Sequence, residues 1–375
     1  MKKLFFIAAI AGAALVSCTK NELAPSATEE QEIRFANPVS HIVTKVDLVS
    51  ATYPDTEKFS VFADYHVNNY ATDDALASNF TPYMRGTEGV DVTYSTTPFT
   101  NSIGTFDKYW MSTNAYYWPK DGYLTFAAYS PAKAKDYATI NYNITNGLTI
   151  DDYVVKDDLT NQYDLMLSDR TIDQKSTTMG TNVAGTQYDG VQIAFKHILS
   201  AIKFKVATDN NYSTDGYTIT LKSLTLNNVY STGDITQFSA IDETTVDIET
   251  TLDAATVWSD IKTEESYVVT AADATLSTTA ATFSDDDDAD LLLVPQGLNH
   301  TATTNKVLAT LVYTVKHNDM GGKAIQYTKD LVLDNGTVST WDPGKRYIYN
   351  ITIGMDKVVF APTVTEWAAG GSVDL

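Results

Sequence analysis

Short runs of strictly alternating apolar and polar residues recur along the whole chain, and no other feature restricts the fold so tightly. In VQIAFKH (191–197), Val191, Ile193 and Phe195 point one way and Gln192 and Lys196 the other. A period of two with one polar face is the mark of a half-buried antiparallel strand. The pattern returns in KFSVFADY (58–65), YLTFAAYS (123–130), AIKFKVA (201–207), YTITLKSLTLNNV (217–229), NKVLATLVYTV (305–315), AIQYTKDLVL (324–333) and RYIYNITI (346–353). Asn335-Gly336 supplies a turn where φ > 0 is needed. The 23 tyrosines and 5 tryptophans, with abundant Thr and Val, also favour strands. Helical periodicity is confined to short segments such as 252–262. The chain is predicted to be all-β, built as a pair of β-sandwiches.

A chain of 375 residues exceeds the roughly 250 to 300 at which single cores stop growing, which predicts two domains. The polar stretch 168–190 carries no convincing strand pattern and precedes a strong one, so the boundary is placed there, giving domains 32–188 and 189–375. Residues 18–31 are polar and proline-containing, and read as a tether. Ahead of them, Lys2 and Lys3 form a basic start and Leu4 to Val16 an apolar run too short to span a bilayer, which reads as a signal peptide over 1–17. Its end, Leu15-Val16-Ser17-Cys18, resembles a bacterial lipobox and holds the one cysteine of the chain. Cys18 is therefore the expected lipidation site and the anchor to a membrane, and the exported chain has no disulfide.

Formal charge is -21, and loss of Lys2 and Lys3 makes it more negative, which speaks against nucleic acid as a partner. His41, His66, His197, His300 and His317 are scattered, with no pair at i, i+4, so no zinc motif is present. G-x-S-x-G, Walker A and G-x-G-x-x-G patterns are absent as well. The acidic pairs Asp151-Asp152 and Asp157-Asp158 are too common in such a chain to mark catalysis. Asp285 to Asp288 read as a solvated loop, with calcium ligation the alternative. Tyr116-Tyr117-Trp118 read as packing aromatics, with sugar stacking the alternative. No catalytic residue, metal site or cofactor is expected.

Three stretches carry a family resemblance. Trp118-Pro119-Lys120-Asp121-Gly122-Tyr123-Leu124-Thr125-Phe126-Ala127-Ala128-Tyr129 resembles the W-P-x-D-G-x-L-x-F-x-A-Y segment of the fimbrillin family, the lipoprotein pilus subunits of Bacteroidetes. Phe195-Lys196-His197 through Ala201 is similar to the start of that family's second domain. Trp341-Asp342-Pro343-Gly344-Lys345-Arg346-Tyr347-Ile348-Tyr349, followed by Val364-Thr365-Glu366-Trp367, resembles its C-terminal end. The resemblance implies a type V pilus subunit with two transthyretin-like Greek-key sandwiches, carried to the outer membrane as a lipoprotein. A trypsin-like protease then removes the lipidated first strand, and the groove accepts a strand from the next subunit. The implied partners are other fimbrial subunits, the outer membrane through the lipid, the maturation protease, and a receptor on host or bacterial surfaces.

Carried onto this chain, the candidate cleavage residues are Lys45, at the expected place, and Arg34, inside the first strand. The candidate donor strand is the C-terminal segment 357–367, with Val358, Phe360 and Val364 on one face and Trp367 at its end. The competing assignment makes that segment the last strand of its own domain. Alternatives for the whole chain are an uncleaved tip or anchor subunit and a surface glycan-binding lipoprotein.

Overall fold

The computed structural model describes residues 31–40, 53–70, 77–100, 105–106, 109–157, 161–176, 190–238, 251–283, 290–300, 305–319, 321–355 and 358–366. Among them the chain is all-β, its strands joined by turns and short 3-10 segments. The alternating runs become strands close to where they were expected, among them Phe59–His66, Tyr123–Ser130, Ser200–Thr208, Leu308–His317, Ile325–Val332 and Lys345–Ile353.

Three main sheets carry the fold. The first runs in the order 39–40, 194–197, 166–168, 123–130, 59–66, 90–95, 109–112, with 171–174 and 81–84 on its flanks. Its two long central strands are buried on both faces. Phe59, Val61, Leu124, Phe126 and Ala128 face a core of their own, while Phe62 and Tyr129 face a second, larger core. That larger core lies between the other two sheets. Leu221, Leu224, Tyr267 and Leu311 come from the seven-stranded sheet centred on Tyr217–Thr236. Phe204, Tyr347, Tyr349 and Ile351 come from the five-stranded sheet, in which 200–208 pairs in parallel with 345–353.

Two short segments depart from expectation. The stretch 168–190 does hold a strand, Thr171–Gln174, paired to 123–130, although only Ile172 in it is apolar. The segment 252–262 is not helical. Asp253 caps a turn by accepting the Ala255 N–H, and strand Trp258–Thr270 then pairs with 224–235. The buried Leu252 and Val257 flank a turn and not a helical face.

Sheet membership crosses residue 188 in both directions. Strands Thr139–Asn143 and Gly147–Val154 join the seven-stranded sheet, and Ala194–His197 joins the first. A buried polar joint links the first sheet to strand 139–143 of the seven-stranded one. Asp64 accepts the Tyr142 hydroxyl at 2.8 Å and a hydrogen bond from Arg85, whose guanidinium lies 4.3 Å from the centre of the Tyr142 ring. Burial raises the Asp64 carboxyl and, more strongly, the Tyr142 phenol.

Candidate functional site

The first described segment, 31–40, fills a slot between the two ends of the first sheet. On one side it runs antiparallel to 110–117. The Ile33 N–H donates to the Tyr116 carbonyl (2.7 Å), the Phe35 N–H to Trp110 (2.8 Å), the Trp110 N–H back to Phe35 (3.0 Å) and the Trp118 N–H to Gln31 (2.9 Å). On the other side it runs parallel to 191–195. Here the Ala36 N–H donates to the Val191 carbonyl (3.0 Å) and the Val191 N–H to Arg34 (2.9 Å), and Val39 and Ser40 stand in register with Ala194 and Phe195.

Side chains seal the slot. Ile33 and Phe35 are fully buried, and the Phe35 ring meets Phe59 and Phe126 edge-on at 5.8 and 5.7 Å. Burial of two such side chains contributes about 3 to 6 kcal/mol in gross terms. The backbone approach is also close. A Cβ built on Gly190 would sit 2.5 Å from the Phe35 carbonyl carbon and 2.6 Å from the Ala36 nitrogen, so this position accepts only glycine while the slot is full. The segment is thus a stave inserted from the chain's N-terminal side into an otherwise gapped sheet.

Arg34 lies within this stave. Its guanidinium pairs with Glu32 at 2.7 Å and sits 5.2 Å from the Tyr109 ring centre, while its backbone carbonyl is engaged by Val191. Both its side chain and its carbonyl are engaged while the segment fills the slot. Lys45, Cys18 and Trp367 lie outside the described residues.

The segment 358–366 is a strand, Val358–Glu366, antiparallel to 345–353 at the edge of the five-stranded sheet. Val358 pairs with Ile353, Phe360 with Ile351 and Val364 with Tyr347. Strand 345–353 buries Tyr347, Tyr349, Ile351 and Ile353, yet Val364, on the same face one strand outward, is 43% exposed, and Val359 is 50% exposed. The last strand adds main-chain bonds to its sheet, and Val358 at its start packs against the larger core.

The motif residues turn out to support the frame. Trp118 is buried, and Gly122 takes φ +77 with an added Cβ only 2.6 Å from the His66 carbonyl oxygen. His197 bonds Asp164, Trp341 donates its indole N–H to the Tyr349 hydroxyl at 2.9 Å, and the Gly344 N–H donates to Leu199. Asp285 to Asp288 lie outside the described residues, and of the aromatic triplet Tyr117 alone is exposed. Among the described residues no group of His, Cys, Asp and Glu is gathered to hold a metal. No helix among them is long and apolar enough to cross a membrane. Sequence reading placed Arg34 in the first strand but missed the slot's walls, Trp110, Phe59, Phe126 and Gly190. Only a glycine abutting an alternating run hinted at the last of these.

Comparison with known proteins adds to this geometry. The model of the fimbrillin-like family matches residues 49–367. A fimbrial protein of Bacteroides vulgatus has 19% identity and a TM-score of 0.53, over 90% of this chain and 100% of that one. Putative cell adhesion proteins of Bacteroides uniformis and Bacteroides ovatus each have 14% identity and a TM-score of 0.43, covering 90% and 91% of this chain and 98% and 99% of theirs. No curated protein matches the chain.

Proposed function

The chain belongs to the fimbrillin-like family and is a structural subunit of a cell-surface fimbria, and from that premise we propose that it assembles by strand exchange at the slot now filled by 31–40. The observation that carries this reading is the double-sided pairing of that segment together with full burial of Ile33 and Phe35. Removing it leaves unpaired N–H and C=O groups along both walls and an apolar trench between them, which an extended strand satisfies with main-chain bonds and alternate side chains. Keeping it in place until assembly protects edges that would otherwise pair indiscriminately.

Cys18 holds the precursor at the outer membrane through its lipid. A trypsin-like protease cuts after Lys45, because Arg34 is locked in the slot whereas Lys45 follows it, and the cut frees the whole segment in one step. The donor is the last strand of a neighbouring subunit, 358–366, which lies at the edge of its own sheet, paired there with 345–353. The protein works as a structural polymer and not as an enzyme.

N-terminal sequencing of the surface form tests this. The expected first residue is Val46, with sodium dodecyl sulfate-resistant ladders present in the wild type and absent in Lys45→Ala, while Arg34→Ala is still processed. A surface form that retains acylated Cys18 and makes no ladder would identify an uncleaved anchor or tip subunit instead.

A further inference from the structure

Two segments at opposite ends of the chain read alike when set side by side: Ile33-Arg34-Phe35-Ala36-Asn37-Pro38-Val39-Ser40 and Val358-Val359-Phe360-Ala361-Pro362-Thr363-Val364-Thr365. Phe35, Ala36 and Val39 recur as Phe360, Ala361 and Val364, while Ile33 and Ser40 recur as the near-isosteric Val358 and Thr365. The first of these segments fills the slot and the second lies on the sheet edge. We infer that the last strand is a copy of the first segment in its binding residues, so that residue n of the incoming strand takes the place of residue n minus 325 in a neighbour's slot, in the same chain direction. This rests on the strand-exchange reading above and specifies its register.

Each demand of the slot is met by the aligned residue. The backbone N–H groups of Ile33, Phe35 and Ala36 donate to Tyr116, Trp110 and Val191, and Val358, Phe360 and Ala361 all keep that N–H. The carbonyls of Arg34 and Phe35 accept from Val191 and Trp110, and Val359 and Phe360 supply those. Phe360 brings the ring that the faces of Phe59 and Phe126 are shaped for. Ala361 repeats Ala36, which is buried in the slot and whose N–H donates to Val191.

Pro362 is the sharpest check, since a proline in a paired strand removes a donor. It aligns with Asn37, whose N–H donates to no backbone carbonyl among the described residues, although its carbonyl accepts from the Gln192 side chain. Pro362 therefore falls at the one step of the Phe35 to Asn37 run where no donor is needed. Shifting the alignment by one residue toward the N-terminus would set the proline on Ala36 and lose the bond to Val191. A two-residue shift would set it on Phe35 and lose the bond to Trp110.

The test uses the whole chain with Cys18→Ser, cleaved with a trypsin-like protease and allowed to assemble from a mixture of isotopically labelled and unlabelled subunits. Val39 stands opposite Ala194, and neighbouring strands lie roughly 4.8 Å apart, within disulfide reach. Val364→Cys with Ala194→Cys is expected to give an intermolecular disulfide, read by mass spectrometry as a mixed labelled pair. Thr363→Cys or Thr365→Cys with Ala194→Cys reports a slip of one residue, which turns the side chain to the other face and is expected to give none. Assemblies that cross-link at a slipped position, or at none of the three, overturn the register while leaving strand exchange standing. Failure to assemble after cleavage overturns both.

A second measurement is independent of the donor's own fold. A synthetic peptide of residues 357–367, added to the cleaved chain, is expected to block assembly, and the same peptide with Phe360→Ala to need about 100-fold more, as for loss of a buried phenylalanine ring. Equal potency of the two peptides overturns the placement of Phe360 in the Phe35 site.

Discussion

The two segments that read alike in sequence are held in opposite ways. Residues 31–36 are bonded on both sides, with Ile33 and Phe35 fully buried. Residues 358–366 are bonded on one side, with Val359 and Val364 half exposed. A similar run of residues thus closes a slot from both sides in one place and lies along a sheet edge in the other. The difference lies in the receiving walls and not in the strand. Under the proposed exchange, the strand leaves an edge where it is paired on one side for a slot where it is paired on both.

The largest effect that sharpens this contrast is at Phe35. Phe35→Ala in the uncleaved chain is expected to lower stability by about 3 to 5 kcal/mol, because it empties a site walled by Phe59 and Phe126. Urea unfolding followed by tryptophan fluorescence reads it, since Trp110 borders the same core. A loss below 1 kcal/mol would mean that the slot collapses without its stave, and the contrast with the edge would break. Next comes Gly190→Ala. Its Cβ would press on the Phe35 and Ala36 backbone, and overpacking of this kind costs about 1 to 3 kcal/mol. Subunits carrying it are expected to assemble poorly after cleavage, because an incoming backbone meets the same obstruction.

A third test uses pH. Burial pushes the Tyr347 phenol up to about 12, against the Asp342 N–H that donates to its oxygen. In the unfolded chain a tyrosine loses its proton near 10. The folded pKa is the higher one, so the stability it contributes is intact below pH 10 and is lost as pH rises from there to about 12. At pH 11 the loss from this residue is about 1 kcal/mol. Urea unfolding of wild type and Tyr347→Phe at pH 9 and pH 11 is expected to show a smaller pH-dependent drop in the variant. Tyr347 stands opposite Val364, so the same drop should shrink when the last strand is lifted away.

How far these contrasts were legible in the sequence differs along the chain. Strands such as 123–130 and 345–353 announce themselves because one face is polar and the other apolar, and their ends were read to within a residue. Pairing was not legible. The parallel ladder between 200–208 and 345–353 joins residues some 145 apart, and nothing local in either run specifies the other. Strand 171–174 was missed because its polar residues pair along the flank of a strand already buried by others. For the site, Arg34 was placed in a first strand, but its engagement on both sides depends on walls from 110–117 and 191–195, which only the folded chain brings together. The kinship of 33–40 with 358–365 was in the sequence throughout. It had no meaning until one copy was seen filling a slot and the other lying on an edge.

The smallest expected effect is at Val364. It faces the core side of its sheet, yet 43% of it is exposed, so little apolar surface is removed from water there. Val364→Thr should therefore change the unfolding free energy of the isolated subunit by no more than about 0.5 kcal/mol, the range of ordinary surface substitutions. Val359→Thr, at 50% exposure, should do the same. Assembly separates the two. In the aligned register Val364 takes the place of Val39, opposite Ala194, whereas Val359 takes that of Arg34, a position the slot already fills with a polar side chain. Val364→Thr is expected to slow polymerisation of the cleaved subunit several-fold, with Val359→Thr close to wild type, as read by the rate of ladder formation. If both leave the rate unchanged, the donor's contribution is carried by main-chain bonds and Phe360 alone. If Val359→Thr is the more damaging, the strand enters with its other face inward, and the alignment of the two segments is wrong by one residue.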